Sequence, residues 1–471
     1  MKATQATYDV AIIGGGVVGT AIARELAQYQ LNTILIEAGP DVGIGTSKAN
    51  TALFHTGFDA PPGSLEARLL KRSIKLLSSY AQEVGIPIEY TGGILVAWDQ
   101  DQLAKLPTLQ EDALHNGETL HPLTAAQIYQ KEPELGPGAL GGLLIKEEGI
   151  ICPFTPPLAF ATQAKLNGVD LLFNHPVTNI TRGNKITRLT CQQKIINAVW
   201  VINAAGLYSD KIDRLFGYNR FKVTPRRGQL IIYDKASRSL LSHIILPVPT
   251  QTTKGVMVSP TVFGNLLLGP TAEDLPHKHD TATTRDGYLS LQKMGRKILP
   301  ALQKEEITAT YSGLRAATQH NDYQIHLDEN QHYLCVGGIR STGLSGSMGI
   351  AEYVVDLLRE ANLSLQPVET FKSVTMPYIG EDRLRKVSQS PSRIKQNPDY
   401  GRILCHCEQV SRGEIIDAMN SPLPPTNLDG LRRRTRCLQG RCQGFYCIAE
   451  LVDIMAQKGS KSRGELLACD Q

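Results

Sequence analysis

The stretch from Tyr8 to Gly39, YDVAIIGGGVVGTAIARELAQYQLNTILIEAG, limits what this chain can fold into more than any other. A short β-branched run, Val10 to Ile13, breaks into Gly14-Gly15-Gly16-Val17-Val18-Gly19. A helix follows, and then a second strand, NTILIE. Gly14 permits the tight turn, Gly16 lets a pyrophosphate approach the backbone, and Gly19 lets helix pack on strand. The helix starting there aims free N–H groups and the positive end of its dipole at phosphates. Glu37 ends the second strand, eighteen residues after Gly19, where a carboxylate accepts from ribose hydroxyls. Glycines alone are a weak signal. With strand, helix and acid in place, they predict a Rossmann-like dinucleotide site.

At 471 residues the chain needs two or three domains. Its 42% hydrophobic and 20% charged content is that of an ordinary soluble protein, and a formal charge of +4 gives no reason to expect nucleic acid. The only long apolar run is the glycine-broken one above, so no secretory signal or transmembrane segment is expected. Nine unevenly spread cysteines do not form a secreted disulfide framework. The expected location is the cytoplasm, free or on the inner face of the membrane.

The stretch after Glu37, GIGTSKANTALFHTGFDAPPGSLEARLLKRS, is long, polar and glycine-rich. A classical NAD enzyme would usually continue into another regular βα unit, whereas this chain wraps an extended ligand, as FAD requires. Together with VINAAGLYSD (Val201–Asp210) and GGIRSTGLSGSMGIAEYVVDLL (Gly337–Leu358), it resembles the FAD-dependent oxidoreductases grouped with D-amino-acid oxidase and glycerol-3-phosphate dehydrogenase. The resemblance covers roughly residues 1–365. It implies FAD contacts at Gly14, Gly16, Val17, Val18, Gly19, Glu37, Ala38, Thr46, Ser47, Ala205, Gly206, Gly338, Gly343, Leu344 and Ser345. It also implies that the helix beginning near Ser345 turns its positive end toward the flavin, favouring the anionic reduced form.

Flavin segments are expected at about 1–87, 151–214 and 313–365. Between them, residues 88–150 and 215–312 alternate strand and turn signals, predicting a mostly antiparallel substrate-binding roof. Oxidising an alcohol requires a group to take the hydroxyl proton and usually a cation for an anionic tail. His55, in LFHTG, is the first candidate for the base, although a histidine beside Leu53 and Phe54 is more often a packed one. Arg315 and Arg340 are candidate anion holders, with Lys254 a weaker one. The segment around His55 looks closest to L-2-hydroxyglutarate dehydrogenases. Glycerol-3-phosphate enzymes tend to carry an arginine shortly after the histidine-glycine pair, where this chain has Phe58 and Asp59.

Five of the nine cysteines fall between Cys405 and Cys447. Cys405 and Cys407 form one close pair, and Cys442 and Cys447 another. Four thiolates so paired suit a 2Fe-2S cluster or a tetrahedral zinc, and Cys-x-Cys is the more awkward for zinc. SRGEIIDAMN predicts a helix with a capping box, Ser411 and Glu414. CHCEQVSRGEI, DGLRRRTR and GRCQGFYC together resemble the bacterioferritin-associated-ferredoxin-like 2Fe-2S domain, as carried by the catalytic chains of anaerobic glycerol-3-phosphate dehydrogenases. That resemblance implies Cys405, Cys407, Cys442 and Cys447 as ligands, with Cys437 spare. Cys152, Cys191, Cys335 and Cys469 lack partner spacing.

The expected architecture is α/β: a Rossmann-like FAD-binding domain with an inserted antiparallel-sheet substrate domain, a 366–400 linker, and a small helical four-cysteine iron–sulfur domain over 401–471. The expected activity is dehydrogenation of a small anionic hydroxy compound, with glycerol 3-phosphate ahead of a 2-hydroxy acid. Electrons would leave through the cluster to a redox partner subunit or a quinone-linked acceptor, docking where Arg432, Arg433, Arg434 and Arg436 adjoin the cluster. The alternatives are an amine dehydrogenase, a zinc-bound assembly module and a non-catalytic electron-transfer subunit.

Overall fold

The computed structural model describes residues 7–183, 185–249, 255–382 and 386–468. Lys254 and Cys469 lie outside the described residues.

The first strand, Thr7–Ile13, sits between Thr33–Ile36 and Lys194–Asn203, with Asp170–Leu172 and Tyr333–Gly337 beyond them, all parallel. Antiparallel strands extend this sheet to eight among the described residues. Alternation along the first strand explains its burial on both faces. Val10 and Ile12 pack with Ile22, Leu26, Phe160 and Val354 from helices on one side. Ala11 and Ile13 meet Leu189, Ile212 and Phe216 on the other. A central parallel strand is therefore continuously apolar.

A second sheet, nine-stranded among the described residues, takes its strands from residues 93–145 and 224–317. It is antiparallel except where Ile244–Pro247 runs beside Gly93–Ala97. The expected boundary at 312/313 falls inside one of its strands, because Ile307–Ala317 continues its ladder with Thr224–Tyr233 out to Ala317. A three-stranded sheet joins Leu53–Phe54 to Gly149–Ile151 and Ile88–Glu89. It lies between the two large sheets in the chain path, and it brings residues 55 and 148 together.

The linker is not purely extended. Residues 366–381 hydrogen-bond to the body of the protein through Gln366, Val368, Met376 and Glu381. Pro391 then opens a short helix, Pro391–Gln396, where a fixed φ suits the first turn. The C-terminal domain is a hairpin and four helices around Leu431, Leu451 and Ile415. Its helix Arg412–Met419 carries the expected capping box of Ser411 and Glu414. Among the described residues no helix is long and apolar enough to cross a membrane.

Candidate functional site

The glycine turn is as tight as its sequence requires. A Cβ at Gly19 would lie 1.9 Å from the Gly14 carbonyl oxygen, and one at Gly14 would lie 2.5 Å from that of Ala204. At Gly16, by contrast, an added Cβ would meet only Ser47 Oγ, at 3.4 Å, so the backbone there faces open space. Gly206 and Gly45 are equally open. The helix Val17–Leu26 has no side-chain cap on its own N-cap residue, and its first-turn N–H groups lack intrahelical partners. The Val17 N–H is met by Ser47 Oγ at 3.0 Å. Glu37 accepts from the Gly15 N–H at 2.6 Å and the Gly39 N–H at 2.8 Å, which locks it to the turn, while burial raises its pKa. Ala38 beside it is exposed.

The Thr46 hydroxyl donates to the Leu314 carbonyl at 2.7 Å, and Ala205 and Gly206 follow the strand end that crowds Gly14. Gly343, opening the helix Gly343–Glu360, packs near Val17 and Val18, so both helix N-termini converge. Leu344 and Ser345 are buried beside it, and Gly338 holds a positive φ of 63° in the preceding turn. An open, N–H-lined groove with a carboxylate at one end fits a dinucleotide.

His55 is placed next to that helix start. Its backbone N–H donates to Ser345 Oγ at 2.9 Å, and the Ser345 hydroxyl donates to the Leu53 carbonyl at 3.1 Å. The ring is clamped: Nδ1 lies 2.6 Å from Glu148 Oε1, and Nε2 lies 2.9 Å from Asp59 Oδ1. Glu148 is fully buried and also accepts from the backbone N–H and the hydroxyl of Thr56. Burial works against the charged imidazole, but the two carboxylates outweigh it and push His55 up to about 10. The imidazole that the sequence offers as a base is thus engaged at both ring nitrogens. Both face carboxylates, which favour the charged ring.

The two arginines differ. Arg340 adopts a positive φ of 54°, pairs with buried Glu66 and donates to the Asn321 carbonyl at 2.7 Å. Its Nη2 is engaged by the protein. Arg315 has no carboxylate partner among the described residues, and its guanidinium reaches the Thr271 carbonyl at 3.3 Å. Burial, with Arg226 nearby, pulls its pKa down to about 10, so it stays charged. Tyr311, Gly313 and Arg315 share one face of their strand. Tyr311 donates to the Asn50 carbonyl and Gly313 abuts Ala49, so this face roofs the segment leading to His55.

The four expected cysteine ligands meet as two pairs. Cys405 lies beside Cys447, each 2% exposed, and the less buried Cys407 lies beside Cys442. Among the described residues no three His, Cys, Asp or Glu side chains gather as a site for one metal ion. Two pairs suit two irons, each held by two thiolates, better than one tetrahedral zinc. Backbone N–H groups of Glu408 and Leu438 reach Cys405, and those of Tyr446 and Gly444 reach Cys442. Neighbouring Cys447, with these N–H groups, brings Cys405 down to about 6; the Tyr446 N–H leads the lowering of Cys442. Cys437 is fully buried, accepts from the Thr435 hydroxyl at 3.0 Å, and is pushed up to about 12 by burial.

Over residues 9–357 the chain matches the family described as FAD dependent oxidoreductase. The chain is an FAD-dependent oxidoreductase. Residues 403–457 match the BFD-like 2Fe-2S binding domain, so this oxidoreductase carries a second redox site. A glycerol 3-phosphate dehydrogenase of Caloramator mitchellensis is 34% identical over 462 residues, covering 96% of this chain and 94% of that protein. A chain of the anaerobic glycerol-3-phosphate dehydrogenase of Escherichia coli is 26% identical, covering 95% of this chain and 88% of its own length. The FAD-bound L-alpha-glycerophosphate oxidase structure from Mycoplasma pneumoniae superposes with a TM-score of 0.75 at 29% identity, covering 80% of this chain and all of that one.

The sequence did not single out two residues of this FAD-dependent oxidoreductase. Glu148 stands in KEEGII, which reads as an ordinary charged turn; only the strand pairing of 53–54 with 149–150 reveals it. Asp41, in AGPDVG, receives Arg433 at 2.7 Å and Arg434 at 2.6 Å from the C-terminal domain. The expectation of an arginine-rich partner dock is therefore corrected. Arg433, Arg434 and Arg436 are buried within this chain, and of the four only Arg432 is substantially exposed.

Proposed function

We propose that this oxidoreductase dehydrogenates glycerol 3-phosphate and passes the electrons through its 2Fe-2S domain to a redox partner subunit or quinone-linked acceptor. Arg315 is the observation that carries the substrate class. A half-buried guanidinium with no carboxylate beside it among the described residues is left with N–H groups for an anion, and its fork suits phosphate or carboxylate. Relatives described as glycerol 3-phosphate dehydrogenases, matched over 96% and 95% of this chain, support phosphate over the 2-hydroxy acid.

FAD would be held by the Gly14–Gly19 turn, Glu37, Ser47 and the Gly343 helix start, and the cluster by Cys405, Cys407, Cys442 and Cys447. When bound, FAD supplies a hydride acceptor and the cluster a one-electron exit. Arg315 orients the anionic tail. The Glu148–His55–Asp59 array receives the hydroxyl proton; Glu148, fixed by Thr56, keeps the imidazole in register, and Asp59 supplies the accepting capacity. On this reading the protein works in the cytoplasm or on the inner face of the membrane.

The test is anaerobic mixing of holoprotein with glycerol 3-phosphate, L-2-hydroxyglutarate or an amino acid while the yellow flavin absorbance is followed. Bleaching by glycerol 3-phosphate at least tenfold faster than by the others is expected. Preferential bleaching by another substrate would reassign the activity, and none at all would favour an electron-transfer subunit.

A further inference from the structure

We propose that Asp41 is a positioning residue that holds the 2Fe-2S domain in one fixed seat on the FAD domain. Electrons then cross between the two redox sites without a domain swing. The inference rests on the reading that FAD is oxidised through the cluster.

Asp41 stands four residues after Glu37, on a loop tied to the dinucleotide turn by the Gly43 N–H donating to the Gly15 carbonyl at 2.8 Å. Arg433 bonds Asp41 Oδ2 at 2.7 Å and the Val42 carbonyl at 3.0 Å. Arg434 spans both carboxylate oxygens, at 2.6 and 3.0 Å, and two more of its N–H groups go to the Leu423 and Gly430 carbonyls. All three side chains are at most 7% exposed. Gly430 lets the helix come close, since a Cβ there would lie 3.0 Å from Asp41 Oδ2. Lys48 and Asp429 add a second bridge at 3.0 Å.

A further contact lies on the turn between two strands of the substrate sheet. The Arg436 guanidinium covers the Phe263 ring at 3.9 Å, and Phe263 stacks on Phe154 at 5.9 Å. Arg436 adjoins Cys437, which shares a core with Cys405 and Cys447. Two separated anchors fix orientation as well as proximity. A domain that swung at each turnover would expose this one acid and two bases to water and desolvate them again each time. Removing Asp41 leaves two buried cations facing each other.

The test uses holoprotein of the natural sequence, Asp41→Asn, and a second variant, Arg433→Met with Arg434→Met. Flavin and iron are quantified, amide exchange is followed over residues 40–48 and 428–436, and flavin is photoreduced anaerobically with EDTA as electron donor. One electron per molecule then passes to the cluster, observed by freeze-quench electron paramagnetic resonance. In the natural protein the transfer rate is expected to be independent of solvent viscosity. In the variants, flavin and iron are retained, amide exchange rises, and transfer slows at least tenfold and becomes viscosity-dependent.

A viscosity-dependent rate in the natural protein overturns the proposal, and so does unchanged transfer in a folded variant. Loss of FAD from a variant that keeps its iron also overturns it, by assigning the clamp to cofactor retention. Photoreduction needs no substrate, so a failure of glycerol 3-phosphate to bleach the flavin leaves this result standing. A natural protein whose cluster never reduces would instead remove the underlying electron-exit reading.

Discussion

At the scale of single residues, charge pairing decides which basic groups remain available. Glu148 and Asp59 raise His55 from 6.5 to about 10, so it contributes stability fully below pH 6.5 and loses that contribution as pH rises through about 10. The urea midpoint is expected to fall between pH 7 and 10, and the fall should be smaller in Glu148→Gln. The pH profile of kcat/KM should lack a histidine inflection near 6.5; one that vanished in His55→Asn would restore the free-base view. Arg315 and Arg340 separate by the same logic. A charge-assisted hydrogen bond is worth about 1.5–3 kcal/mol, so Arg315→Met should raise KM for an anionic substrate by roughly 10–150-fold. Arg340→Met, which strands Glu66, should lower Tm with little change in KM.

Among elements, the close approach of the first helix to the first strand has no slack. Gly19→Ala would drive a methyl to 1.9 Å from the Gly14 carbonyl, displacing the helix start that would hold a pyrophosphate. The purified variant is expected to be folded by circular dichroism but to lack the yellow flavin absorbance. Unimpaired flavin content would show that the turn relaxes at no cost. The helices of the C-terminal domain follow local rules more freely. Ser411 and Glu414 cap each other's backbone, and Cys447 is itself the N-cap of Ile448–Lys458, which puts its sulfur at the positive end of a helix.

For the whole molecule, two redox sites on one chain require defined metal content as well as a seat. Natural holoprotein is expected to hold two irons per flavin and no zinc. Cys437→Ser should keep both irons, because Cys437 stands outside the two sulfur pairs, whereas Cys442→Ser should lose them. Elemental analysis decides both, and zinc in place of iron would remove the electron exit. Much of this was legible in the chain order. The glycine turn and Glu37 are local signals, since strand, turn and helix are set by neighbours in sequence. The cysteine spacing and the Ser411–Glu414 box are equally local. Pairing across distance was not legible. LFHTG cannot announce that Glu148 lies behind its histidine, because that contact depends on strand register 93 residues away. A run of arginines reads as a solvated face until Asp41, 393 residues before Arg434, is packed against it. Chain order alone names the glycine turn, its acid and the candidate cluster thiols, because those signals are local spacings, whereas their assembly from distant segments came with folding. Which charges are spent and which stay free was settled only on folding, because burial and partner choice depend on the whole packed molecule.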